Sequence, residues 1–150
     1  MINFKFSFQA DQSAKEVFDT ILNVRVWWSG LYAEEIEGTA NKLNDEFIFK
    51  AGGGVHYSKQ KLIELVPEHK VVWLVTDSNL SFLEKPNEWT NTKICFEINK
   101  ADEKTNVLFT HRGLVPDFEC YNGCSTAWSL YMQQFILHLK EQFKAQGQGV

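Results

Sequence analysis

The sequence has little cysteine and no excess of charge of one sign, and each shortage excludes a class of protein. Its three cysteines are too few and wrongly spaced for a disulfide scaffold, and reduced thiols fit a cytoplasmic protein. The net charge of -4, with Lys intermixed with Glu and Asp, gives no basic face for nucleic acid and no polybasic membrane anchor. No segment reaches the roughly 18 uninterrupted apolar residues of a membrane span, and residues 1–12 lack the features of a signal peptide. We therefore expect a cytoplasmic protein without membrane insertion or nucleic-acid binding.

The chain also lacks any segment that would divide it. It has no internal repeat, no low-complexity run and no linker rich in Pro, Gly and Ser. A length of 150 residues, 44% of them hydrophobic and 14% aromatic, suffices for one sizeable core. We predict a single domain over residues 1–150.

A strand and two short helices are predicted at the start of the chain. Phe4, Phe6 and Phe8 alternate with polar residues, which indicates a half-buried strand. Residues 13–23 have helical periodicity and begin with the capping-box spacing of a Ser and a Glu. Residues 24–30 predict a further helical turn or two, on which the adjacent Trp27 and Trp28 could not face the same way.

Strands dominate the centre of the chain. β-branched and aromatic runs separated by turn residues predict strands within residues 34–40, 45–51, 55–66, 70–77, 91–99 and 105–112. The short separators favour antiparallel hairpins. Residues 78–91 form a longer segment with Phe82 and Trp89, which is typical of a lid or binding loop.

The last predicted element is a long helix with one broad apolar face. That face carries Cys124, Trp128, Tyr131, Met132, Phe135, Ile136 and Leu139. The order of elements predicts an α+β fold in which the long C-terminal helix lies across a curved antiparallel sheet of about six to seven strands, with two short helices after strand 1. A cavity can remain between sheet and helix near an open end.

Five stretches stand out along the chain: the Trp27-Trp28 pair, GGGVH at 52–56, LIELVPEHKVVWLV at 62–75, THRGL at 110–114 and GCSTAW at 123–128. Together with the order of elements, they resemble the START-like (SRPBCC) superfamily, and within it the homologues of the activator of heat-shock protein 90 ATPase. The resemblance covers essentially the whole chain and implies a helix-grip fold with a hydrophobic-ligand pocket. It does not imply one activity, because relatives include lipid carriers, hormone receptors, polyketide cyclases and co-chaperones. A full-type activator has a second, chaperone-binding domain for which this chain has no room, so we expect no chaperone partner.

His111, Cys120 and Cys124 form the most chemically suggestive stretch. Cys120 and Cys124 have usable spacing for a metal, but a zinc site needs three or four ligands, and only Cys95 and the four histidines could complete it. A thiol nucleophile would require a neighbouring base such as His111. The alternative, which we favour, is that Cys124 packs as a small hydrophobe and His111 hydrogen-bonds near a cavity mouth. We expect no metal, no cofactor and no assigned catalytic residue.

Gly123 lies in the first turns of the predicted last helix, where glycine costs roughly 1 kcal/mol relative to alanine. Either a strand or loop approaches it closely, or it leaves room for a ligand. The triple glycine at 52–54 reads as a tight or mobile hairpin turn and lacks the Lys-Ser/Thr of a phosphate loop, so nucleotide binding is not supported.

The aromatic residues exceed what a small core ordinarily uses and favour a ligand cavity. The strand at 55–66 leaves the direction of His56 open, because His56 and Tyr57 cannot both point inward. The residues predicted to bind the ligand are Trp28, Phe47, Phe49, His56, Trp73, Phe82, Trp89, Phe96, His111, Cys124, Trp128, Tyr131 and Phe135.

Three functions are compatible with these features. The first is non-catalytic binding of a small hydrophobic or aromatic molecule between the sheet and the C-terminal helix. The second is a cyclase- or hydrolase-like enzyme that uses His111 or His56 as general acid or base. The third is a co-chaperone-like protein that modulates a chaperone ATPase.

Leu130 and Leu137 lie on the polar side of the last helix, which indicates a homodimer contact or two singly exposed leucines.

Overall fold

The computed structural model describes residues 2–148, and it describes side chains as far as residue 142. Its elements follow the predicted order. They are β1 (Phe4–Ala10), α1 (Ala14–Leu22), α2 (Val24–Trp27), β2 (Glu35–Gly38), β3 (Glu46–Ala51), a single-turn 3-10 helix (Gly52–Gly54), β4 (His56–Val66), β5 (Lys70–Leu80), β6 (Lys93–Ala101), β7 (Lys104–Arg112) and α3 (Tyr121–Gln148).

The seven strands of the described residues form one open antiparallel sheet. The strand order is β1-β7-β6-β5-β4-β3-β2, so β2 to β7 are a meander and β1 adds to the far edge beside β7. Phe6 of β1 lies opposite Phe109 of β7, which itself lies opposite Phe96 of β6. This register aligns aromatic side chains across three neighbouring strands on one face.

α3 packs against that face of the sheet through aromatic contacts. The ring centroid of Phe135 lies 5.6 Å from Phe8, 5.7 Å from Trp27 and 6.1 Å from Phe96. Because side chains alternate along a strand, Cys95 lies on the other face from Phe96, as predicted, and does not belong to the core cluster. The predicted helix-grip architecture, with its long C-terminal helix, is therefore confirmed.

The predicted start of α1 is also confirmed. Ser13 has an extended backbone, and its side chain accepts a hydrogen bond from the backbone N–H of Glu16 at 3.1 Å. This bond satisfies one of the N–H groups that a helix start leaves without a partner. Val17, Phe18 and Ile21 then bury the inner side of the helix.

The expectation that Trp27 and Trp28 face different ways is wrong. Both indoles are buried, and their rings stack at 5.7 Å with an interplanar angle of 5°. α2 ends at Trp27, and Trp28 leaves the helix with φ -102° and ψ 47°. The constraint that separates neighbouring side chains on a helix therefore does not apply to this pair.

Candidate functional site

A cavity of about 500 Å³ lies at the open end of the grip, between the sheet and the start of α3. Four parts of the chain surround it: the segment after α2, the β3–β4 connection, the 81–92 loop and the first turns of α3. The lining residues are Trp28, Tyr32, Phe49, Ala51, Gly52, Val55, His56, Phe82, Leu83, Trp89, Glu119, Cys120, Gly123, Cys124, Ala127, Trp128 and Tyr131.

Stacked aromatic rings form the inner wall of the cavity. Trp28 stacks on Phe49 at 4.2 Å and contacts Trp128 at 5.0 Å. On the other side, Trp128 stacks on Trp89 at 5.9 Å with an interplanar angle of 13°. Three indoles from three separate elements thus make one continuous apolar surface, which suits an apolar or aromatic molecule.

Two carboxylates hold the 81–92 loop against the start of α3. The Glu88 carboxylate accepts hydrogen bonds from the backbone N–H groups of Glu119 and Cys120, at 2.9 and 3.3 Å. In the reverse direction, the Glu119 carboxylate accepts from the backbone N–H groups of Glu84 and Lys85. This reciprocal arrangement fixes the loop that carries Trp89.

The loop contributes its two aromatic residues in different ways. Trp89 is buried in the cavity wall, whereas Phe82 is 60% exposed and lies at the mouth. The segment predicted as a lid or binding loop lies beside the cavity, and because β5 extends to Leu80 the loop comprises residues 81–92.

The hydroxyl of Tyr131 is a polar group fixed in the cavity lining. The Tyr131 hydroxyl donates a hydrogen bond to the Glu34 carboxylate, which also accepts from the backbone N–H groups of Gly30, Leu31 and Tyr32. Burial raises the pKa of Tyr131 well above its usual range, and the bond to Glu34 adds to this effect. Tyr131 therefore stays protonated, and its oxygen can still accept one hydrogen bond from a ligand.

His56 is the histidine of the cavity. Its ring lies edge-on between Phe49, at 5.2 Å, and Trp89, at 4.7 Å. The Nε2 atom is buried without a hydrogen-bond partner in the described part of the chain. Burial lowers the pKa of His56 to about 4, so the imidazole is neutral near pH 7.

His111 lies behind the cavity wall. It is fully buried, and the indole Nε1–H of Trp128 donates to its Nδ1 at 3.0 Å. The ring proton is therefore on Nε2, which donates to Thr92 Oγ1 at 2.8 Å, and Thr92 donates to the Trp89 carbonyl. Both ring nitrogens are occupied, which corrects the expectation that His111 could serve as a pocket acid or base.

Eight of the thirteen predicted ligand residues line the cavity: Trp28, Phe49, His56, Phe82, Trp89, Cys124, Trp128 and Tyr131. The other five are buried behind it: Phe47, Trp73, Phe96, His111 and Phe135. These five do not line the cavity, contrary to the prediction, because other rings lie between them and the cavity. Phe47, for instance, lies between Trp28 and Trp73, at 5.9 Å from each.

The sequence-based set missed small and peripheral lining residues, namely Tyr32, Ala51, Gly52, Val55, Leu83, Glu119, Cys120, Gly123 and Ala127. Among these, the sequence had marked Gly123 as a position that could leave room for a ligand. A Cβ built on it meets no atom within 4 Å, so no strand or loop approaches it closely. Of the two explanations for this glycine, the structure favours room beside the cavity.

The metal interpretation gains no set of ligands here, and His111, with both ring nitrogens occupied, is not the base that a thiol nucleophile was expected to have. Within residues 2–142, whose side chains are described, no three His, Cys, Asp or Glu side chains converge as a metal site would require. Cys120 and Cys124 are free and buried, and Cys124 lies one turn inside α3.

None of the described helices is both long enough and apolar enough to cross a membrane.

No protein-family model matches the chain, and no curated protein matches it significantly. Solved structures do match. The Aha1 dimer from Colwellia psychrerythraea superimposes with a TM-score of 0.72 at 21% identity, over 93% of this chain and 96% of that one. The AHSA1 protein from Silicibacter pomeroyi has a TM-score of 0.72 at 10% identity, over 94% and 99% of the two chains. CalU16 from Micromonospora echinospora has a TM-score of 0.61 at 11% identity, over 97% and 80%.

At these identities the similarity shows the fold. The resemblance to START-like proteins and to Aha1-like homologues, predicted from the sequence, is thus confirmed at the level of the fold. The site must be interpreted from its own residues, since one fold carries many functions.

The buried neutral histidines predict a stability that falls in mild acid. Burial, with a smaller effect of His56, lowers the pKa of His111 to about 3, whereas the pKa of a histidine in the unfolded chain is about 6.5. Between these values the unfolded state binds more protons, so the free energy of unfolding decreases as pH falls, by up to about 1.4 kcal/mol per pH unit for this residue. Urea titrations followed by circular dichroism between pH 7 and pH 5 measure this slope.

The matched variants are His111→Gln and His69→Gln, the latter at an exposed position. We expect His111→Gln to lower stability at pH 7 and to flatten the slope, and His69→Gln to keep it. Equal slopes in all three proteins would contradict the assignment.

Proposed function

We propose that this protein binds a small apolar or aromatic molecule in the cavity between the sheet and α3, without catalytic turnover. The observation that carries the proposal is a cavity of about 500 Å³ walled by stacked indoles and a phenyl ring. This volume lies within the roughly 300–1,000 Å³ of small-molecule sites, which are mostly apolar with a few fixed polar groups.

Apolar burial supplies the affinity in this proposal. A ligand that buries about 200 Å² of apolar surface gains roughly 5 kcal/mol at about 25 cal/mol per Å². The aromatic wall is held in place before binding, because Trp128 is fixed by its bond to His111 and the loop of Trp89 by the two carboxylates. A site that is already ordered loses less conformational entropy on binding.

Two polar groups orient the ligand. Tyr131 offers a hydrogen-bond acceptor at one wall, since its proton is committed to Glu34. His56 adds a neutral imidazole to the cavity lining. A ligand with an aromatic body and a hydroxyl or amide group fits this combination.

Gly123 gives the sharpest test of the binding site. Gly123 is an exposed residue of the cavity lining with open space beside it, so Gly123→Phe should narrow the cavity and weaken binding of N-phenyl-1-naphthylamine, a fluorescent apolar probe. Gly123→Ala adds one methyl group and should keep binding while raising stability by about 1 kcal/mol, since alanine is the better helix former. Fluorescence titration and urea unfolding measure the two effects.

The Gly123→Ala variant is the control for folding and helix stability. If Gly123→Phe is folded and still binds the probe as the unsubstituted protein does, the cavity beside α3 is not the binding site and the proposal fails.

His56 supports a second candidate, a hydrolase- or cyclase-like enzyme. Its imidazole lines the cavity and is neutral near pH 7, so it could accept a proton from a bound substrate. With p-nitrophenyl butyrate as a chromogenic ester, His56→Gln should then lower kcat far more than it weakens binding of the fluorescent probe. Hydrolysis that is absent, or equal in His56→Gln, would reject this candidate, with the exposed His69→Gln as the matched control.

The outer side of α3 supports association with a second copy of the chain. Leu130 and Leu137 are 39% and 58% exposed and lie seven residues apart, which places them on one side of the helix. The Aha1 from Colwellia psychrerythraea, which has the same fold, was solved as a dimer. We propose that these leucines contact a partner copy.

Light scattering after size-exclusion chromatography tests this contact. The unsubstituted chain should elute at about twice 17.3 kDa, and Leu137→Glu should elute as a monomer, because a buried unpaired charge opposes association. Leu43→Glu, at a loop position that is 54% exposed, is the control and should remain dimeric. A monomeric unsubstituted protein would exclude the contact.

A further inference from the structure

Two thiols one helical turn apart line the cavity. Cys120 immediately precedes α3 and Cys124 lies one turn inside it, with the backbone N–H of Cys124 donating to the carbonyl of Cys120 at 2.7 Å. Both are free, both are nearly buried from bulk solvent, and both line the cavity. The missing side chain at Gly123 leaves open space on the same side of the helix start.

The surroundings make the two thiols unequal. A hydrogen bond from Cys124 lowers the pKa of Cys120, and the Trp89 indole N–H contributes in the same direction, although it has no partner of good hydrogen-bond geometry. The same pairing, together with burial, raises the pKa of Cys124 far above its usual range. The pair therefore ionises at Cys120 and keeps its proton at Cys124.

Other charged groups face this pair from neighbouring elements. The Glu88 carboxylate of the 81–92 loop raises the pKa of both thiols and also binds the backbone N–H of Cys120. Glu119 precedes Cys120 and directs its carboxylate to the loop backbone, while His56 of β4 also lines the cavity and is neutral. Cys124 and Trp89 thus favour the Cys120 thiolate, whereas burial and Glu88 oppose it.

We propose that Cys120 is a nucleophile that faces the cavity, and that the cavity captures apolar molecules carrying an α,β-unsaturated carbonyl group. This rests on the proposed binding function, since the cavity holds the molecule that reacts. An aromatic or apolar body would stack on Trp89 and Trp128 while its reactive double bond lies at the start of α3.

The bond changes balance without an oxidant or reductant. The Cys120 sulfur forms a C–S bond to the β-carbon, and the electron pair of the C=C bond shifts to give an enolate. The Cys124 S–H then gives its proton to the α-carbon, and the proton that Cys120 lost on ionising returns to Cys124. The product is a thioether on Cys120 with the carbonyl restored.

N-phenylmaleimide is the probe, with intact-mass and peptide mass spectrometry as the readout. We expect one addition, on Cys120, in the folded protein. Cys120→Ser should lose it, while Cys95→Ser should react as the unsubstituted protein does, because Cys95 lies on the other face of the sheet and burial raises its pKa. Labelling at Cys95 or Cys124 alone, or only after unfolding, would overturn the proposal.

The pH dependence of the reaction rate with N-phenylmaleimide distinguishes a Cys120 thiol with a lowered pKa from a thiol that is merely accessible to the probe. Cys124→Ala removes the S–H donor, so the midpoint of the profile should rise and the rate at pH 7 should fall about tenfold for each pKa unit. Glu88→Gln removes the opposing charge and should lower the midpoint. An unchanged midpoint in both variants would overturn the role assigned to the pair.

Gly123→Phe separates this proposal from the binding proposal. Filling the cavity should suppress the reaction of Cys120 with N-phenylmaleimide, whereas Gly123→Ala should permit it. If Cys120 reacts from a cavity that binds no N-phenyl-1-naphthylamine, reversible binding fails and the nucleophile stands. If the probe binds equally to the Cys120-alkylated protein, Cys120 does not face the cavity and this proposal fails.

Discussion

The candidate site depends on the packing of one indole, that of Trp128. It lies between Trp28, from the end of α2, and Trp89, from the 81–92 loop, so it joins three elements that are distant in sequence. Its N–H is bound to His111 on β7, which fixes the ring against the sheet. Aromatic stacking and one buried hydrogen bond thus determine the shape of the inner wall.

Polar contacts complete the same frame. His111 binds Thr92, and Thr92 binds the carbonyl of Trp89, so a chain of hydrogen bonds connects α3, the sheet and the loop. Every member of this chain is satisfied, which is the condition under which a buried polar network adds rigidity. Glu88 and Glu119 anchor the same loop from the solvent side. The cavity is therefore open at its mouth and rigid at its wall.

The solved structures of similar fold bear on the scaffold alone. They match nearly the whole chain at 10–21% identity, a level at which side chains at a site need not correspond. The functional argument consequently depends on three local features: an aromatic wall, a cavity histidine without a partner, and two unequal thiols at the start of a helix.

The sequence by itself determined the order of elements, because period and turn chemistry are local. It predicted the Ser13 cap, the meander, the helix grip and the face of Cys95 correctly. It also located most of the aromatic wall. The prediction for Trp28 from helical periodicity was wrong. The helix α2 ends at Trp27, so Trp28 is not helical and its side chain packs beside Trp27 in the core.

Only the tertiary structure decided which inward side chains line the cavity and which lie behind it. Phe47, Trp73, Phe96 and Phe135 share the inner face, yet neighbouring rings cover them, and alternation along a strand does not encode such cover. His111 and His56 differ in their surroundings, because Trp128 and Thr92 bind both nitrogens of the buried His111, whereas the ring of His56 lines the cavity. The open space beside Gly123 exists because no other segment of the chain packs there. A local sequence pattern does not show which distant segments pack against a residue.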